Sequence, residues 1–89
     1  MNIPNLPALV ALEAVARLGS VTRAAASLHL TQSAVSHRLH GLARELGVPL
    51  LAREGRGVML TPEARELARA ASVALDQLNQ AIERVTPGG

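Results

Sequence analysis

Residues 32–44 gather side chains that hydrogen-bond without negative charge: Gln32, Ser33, Ser36, His37, His40 and, further along, Arg44. At about 100° per residue the first five cover an arc of about 140° on a helix, whereas Val35, Leu39, Leu42 and Leu46 fall within about 60° of one another. Such a polar face suits the major groove of duplex DNA, where Gln can pair with adenine edges and Ser with several bases. The competing reading is an ordinary solvated helix face. Arg56 stands between Gly55 and Gly57, where little bulk keeps it from lying beside phosphates or entering a minor groove. A plain turn with an exposed Arg is the alternative there. His37 and His40 are three apart and could share a metal, but no carboxylate nearby and no Cys anywhere completes a site, so none is expected. Ser20, Ser36 and the histidines do not make a hydrolase, because there is no Gly-x-Ser-x-Gly elbow and so short a chain forms no deep cleft. With no glycine-rich phosphate loop or dinucleotide fingerprint, no enzyme activity and no cofactor are expected.

These side chains must be positioned by a small scaffold. Eighty-nine residues make at most one small domain. A core this small usually needs a disulfide, a metal or a partner chain, and the absence of cysteine excludes disulfides and thiolate chemistry. Phe, Trp and Tyr are absent too, so the core is aliphatic and base-stacking on aromatic rings is excluded. A 48% hydrophobic content argues for a folded chain. No secretory signal opens the sequence and no apolar run reaches the roughly 20 residues that span a bilayer, so a soluble cytoplasmic protein is expected.

Charge is unevenly spread. All nine basic residues are Arg, and no acidic residue lies between Glu13 and Glu45, where Arg17, Arg23, Arg38, Arg44 and all three histidines stand. Residues 1–60 carry +3 and residues 61–89 carry −1. A polyanion-binding head on a near-neutral helix has this distribution. The alternative is a helical protein-interaction or dimerisation module that never touches nucleic acid, but such a module has no reason to exclude carboxylates over so long a stretch.

Gly and Pro divide the chain. Asn5 can cap a first helix that tolerates Pro7 in its first turn, carries Leu6, Leu9, Leu12 and Val15 at helical spacing with Ala8 and Ala16 on the same face, and ends at Gly19. Ser20 caps a short second helix through Leu28; after a tight connection at His29 and Leu30, Thr31 caps a third that runs to Leu46 and stops at Gly47. Two short helices so joined, with Ala25, Leu28, Leu30, Val35 and Leu39 interlocking, form a helix-turn-helix. Residues 50–53 and 58–60 read as short strands around a loop at 54–57, with Met59 as core filler. Thr61-Pro62-Glu63 starts a last helix that reaches about Val85.

The last helix carries Ala64, Leu67, Ala71, Leu75, Leu78, Ile82 and Val85 at spacings close to a coiled-coil seam. It would be about 36 Å long, more than a compact head can cover. Leu67, Ala71, Leu75, Leu78 and Ile82 are therefore expected to form a dimer seam. The division expected is a head over residues 1–61, a linker and dimerisation helix over 62–86, and a flexible tail over 87–89.

The run Ser20 to Ser36 (SVTRAAASLHLTQSAVS), the run Leu46 to Arg53 (LGVPLLAR) and the run Gly57 to Thr61 (GVMLT) resemble the N-terminal winged helix-turn-helix of LysR-type transcriptional regulators. The likeness extends from Asn5 to about Val85. It implies a mainly α fold, three helices plus a short β-hairpin wing followed by a long linker helix. It further implies a homodimer on double-stranded DNA with two half-sites, and no membrane partner. Small-molecule control would come through a C-terminal effector domain that these residues do not include, so a truncated fragment is expected. Base readers are implied at Gln32, Ser33, Ser36 and His37. Backbone or minor-groove contacts are expected from Ser20 and Thr22 at a helix N-terminus, from Thr31 and Arg38, and from Arg53 and Arg56. The family commonly has Phe near Leu12 and at Leu51, Gly at Ala64, Leu-Glu where Leu42-Ala43 stand, and a basic residue at His37.

Overall fold

A computed structural model of the chain describes residues 5–88. Residues 1–4 of the expected head and Gly89 of the expected tail lie outside them. The order is α1 (Leu6–Leu18), α2 (Val21–Leu28), α3 (Gln32–Leu46), β1 (Leu51–Glu54), β2 (Gly57–Leu60) and α4 (Pro62–Val85).

Local chemistry sets most of these boundaries. Ser20 and Thr31 turn their hydroxyl oxygens back to accept from the Arg23 and Ala34 amides, at 3.1 and 3.0 Å. At Asn5 it is the main-chain carbonyl that accepts, from Ala8 and Leu9, and the side chain makes no cap bond. Gly19 and Gly47 end α1 and α3 in the left-handed conformation that costs glycine nothing. The turn of the helix-turn-helix uses the same conformation without a glycine. His29 has φ 57°, and the Leu30 amide donates to the Ala25 carbonyl oxygen while that of His29 donates to Ala26. That pairing closes the helix end and swings Leu30 onto the core.

The core is assembled from small and branched side chains. Leu12, Val35, Leu39, Leu42 and Leu50 are its largest enclosed members. Around them Ala8, Ala11 and Ala14 of α1, Ala24 and Ala25 of α2, and Ala64 and Ala68 of α4 let the helices approach closely. Leu12, at the position read as commonly Phe in the family, is fully enclosed, and Leu51 is half-buried against the core. Ala64 is fully enclosed as well.

The hairpin is longer and tighter than the sequence suggested. Leu51 pairs with Leu60 and Glu54 with Gly57, so the turn is only Gly55 and Arg56. Gly55 takes a positive φ of 58° and Arg56 does not, the type II′ pattern that follows the twist of paired strands. Leu50 stays outside the ladder and plugs the core instead. Met59 is not core filler; it is 37% exposed, because alternation along β2 turns it away from the face that Leu60 buries. Leu46, placed above on the buried stripe of α3, is 40% exposed, since nothing packs over the last turn of that helix.

The first half of α4 lies along α1 and its second half projects beyond the head. The molecule measures 48 × 31 × 18 Å. Its radius of gyration of 13.8 Å exceeds the roughly 12 Å of a compact chain this long.

Candidate nucleic-acid interface

α3 is seated on α1 and α2 through Val35, Leu39 and Leu42, which turns Gln32, Ser33, His37 and His40 outward and leaves Ser36 half-buried. The N-terminus of α2 and the wing stand against one flank of this helix. Between them lies an open cleft of about 780 Å³. Gln32 and Ser36 line it from α3, Ser20 and Thr22 from α2, and Arg53 and Arg56 from the wing. Six residues singled out in the sequence thus meet in one concavity, and no carboxylate lines it.

The cap residues keep a free donor. A hydroxyl has one O–H and two lone pairs; Ser20 and Thr31 use a lone pair for the amide and retain the proton for an outside acceptor. The other expected contacts sit elsewhere on the surface. Ser33 and His37 are exposed on the outer side of α3, Thr31 is exposed at its start, and none of the three lines the cleft. Arg38 is half-buried on the flank of α3 turned away from the wing, about 200° around the helix from Ser36. His40, counted on the polar face but given no role from sequence, does line the cleft. Its spacing four residues after Ser36 was the available signal.

Arg17 is not a free cation, because its Nε pairs with the Glu13 carboxylate at 3.0 Å. Among the described residues no three His, Asp or Glu side chains gather to hold a metal ion. No helix among them is long and apolar enough to cross a membrane.

On α4 the apolar stripe divides in two. Ala64, Ala68 and Ala71 are buried within the single chain and Leu67 is half-buried against the core. Leu75 is half-buried, while Leu78 and Ile82 are 50% and 56% exposed. Of the five residues named for a dimer seam, Leu67 and Ala71 therefore already pack in their own chain. Ala68, which the sequence reading passed over, continues the stripe at heptad spacing between Ala64 and Ala71.

Comparison with known proteins places this arrangement. Residues 6–65 match the lysR family of bacterial regulatory helix-turn-helix proteins. The HTH-type transcriptional activator AmpR of Pseudomonas aeruginosa is 45% identical over 96% of this chain and 29% of its own length. The regulator TrpI of the same species is 44% identical over 86% of this chain and 26% of its own. The chain thus spans between a quarter and a third of the length of these curated relatives. Among solved structures, the BenM DNA-binding domain in complex with benA site 1 DNA superimposes with a TM-score of 0.79 at 32% identity, covering 96% of this chain and 99% of that one. With its winged helix-turn-helix and a family match over two-thirds of its residues, the chain belongs to the LysR family of bacterial regulatory helix-turn-helix proteins.

Proposed function

We propose that the chain binds duplex DNA sequence-specifically as the DNA-binding head of a transcriptional regulator, is not an enzyme, and acts in the bacterial cytoplasm. The carrying observation is the convergence of Gln32, Ser36, Ser20, Thr22, Arg53 and Arg56 on one cleft without a carboxylate. In this reading Gln32, Ser33, Ser36 and His37 contact base edges in the major groove. Ser20, Thr22, Thr31, Arg38, Arg53 and Arg56 hold phosphates, with Arg56 at the minor groove. Two copies join through Leu75, Leu78 and Ile82 to address two half-sites about one helical turn apart or a multiple of it. Small-molecule control belongs to a C-terminal effector domain outside these 89 residues. The test is selection of a duplex from a randomised pool, followed by gel-shift titration at several salt concentrations. Affinity should fall linearly with salt on logarithmic axes, and Arg56→Ala should flatten the slope by about one unit. A pool from which no duplex is enriched refutes the reading.

A further inference from the structure

Two further concavities adjoin the cleft, and arginines stand along all three. The first shares Gly19, Ser20, Val21, Leu51 and Val58 with the cleft and reaches Arg65 across the C-terminus of α1. The second shares Ala16 and Arg65 with the first and lies between α1 and α4, where Arg17 and Arg69 join Arg65. One surface track therefore runs from Arg56 and Arg53 on the wing to Arg69 on α4. Glu13 is the one carboxylate lining it, and Glu13 is already paired with Arg17. Arg65 spends an Nη2 proton on the Leu60 carbonyl oxygen at 3.2 Å and keeps its other donors. Among the described residues Arg69 makes no salt bridge.

We propose that this track is a second DNA-backbone surface, which holds the sugar-phosphate strand beyond the bases that α3 reads. The inference rests on the DNA-binding reading above. A strand leaving the cleft meets guanidinium groups spaced along a continuous concave path, and each phosphate so neutralised releases counterions. An acidic protein segment would need only Arg65 and Arg69, since Arg17 is paired with Glu13. The continuity with the wing cleft favours DNA.

The test uses a duplex selected by the wild-type chain, extended by about one helical turn, roughly 10 base pairs, on each side. Arg69 is chosen because Arg65 also braces the wing. Arg69→Ala should weaken binding several-fold, lower the salt slope by about one unit, and lose hydroxyl-radical protection outside the core of the half-sites while keeping it within. Arg69→Glu should do so more strongly, with both variants melting like wild type. An unchanged slope and footprint in both variants overturns the proposal. Failure of the wild-type chain to select or bind any duplex would instead overturn the DNA-binding reading itself.

Discussion

The Thr61 hydroxyl donates to the Pro49 carbonyl oxygen across 2.8 Å, and the Thr61 hydroxyl oxygen itself accepts from the Ala64 amide at 3.2 Å. The Thr61 amide donates to Leu50. One buried residue thereby caps α4 and secures the segment leaving α3 with its side chain, and closes the base of the hairpin with its amide. The wing, the segment leaving α3, and α4 meet at this residue.

Removing that hydroxyl should be expensive for its size. Thr61→Val keeps the shape but leaves the Pro49 carbonyl and the Ala64 amide without their partner, a loss of about 2 kcal/mol. Thr61→Ser should retain most of the stability. Urea unfolding followed by far-ultraviolet circular dichroism distinguishes the two, and equal stability of the valine variant would show that neither bond matters.

The turn between α2 and α3 holds a non-glycine residue in left-handed backbone. His29→Gly should relieve that conformation and raise stability by about 0.5–1 kcal/mol after the greater freedom of the unfolded glycine is subtracted. A lower melting temperature would mean that the imidazole makes a stabilising contact stronger than the strain.

Gln32 opens α3 on the cleft side. Gln32→Ala should weaken binding to a selected duplex by about 1–3 kcal/mol, and binding to random duplex far less. Competition titration measures both; equal loss on the two would assign Gln32 to the backbone.

Leu78 projects from the exposed half of α4. In the proposed dimer, Leu78→Asp would set a carboxylate against the apolar surface of a second copy, where it cannot be hydrated. Sedimentation should show a folded monomer, and affinity for a two-half-site duplex should drop by at least tenfold. A dimer of normal affinity would place the contact between copies elsewhere.

Helix ends were legible in the sequence because they depend on residues within a turn of one another. Ser20, Thr31 and Thr61 cap with their own side chains, and Gly19 and Gly47 adopt a conformation that glycine reaches without strain. The hairpin was less legible: its register is settled by Leu51 meeting Leu60, and a shift of the strand limits by one residue moved Leu50 out of the ladder. Met59 and Leu46 were misplaced because periodicity says which residues share a face, while only tertiary packing says whether that face is covered. The same ambiguity touches α4, where spacings of three and four serve a helix packed on its own head as well as one packed on a partner. Gln32, Ser36 and Arg56 were visible as chemistry, but their meeting with Ser20 and His40 in one cleft is a product of the docked wing.

The α4 stripe passes from buried Ala64 and Ala68 to larger, more exposed aliphatic residues, so a tilt of this helix on the head would pivot on side chains of one carbon. From Ala68 to Val85 is about 25 Å at 1.5 Å per residue. A tilt of about 8° at the pivot moves the far end by about 3.4 Å, the rise of one base step. A single added methylene at Ala64 or Ala68 would wedge α4 off α1. In a pair of chains joined at the far ends of α4, it would change which spacing of half-sites both heads can reach at once. In such a pair the reachable half-site spacing would depend on the volume of two buried alanines, Ala64 and Ala68.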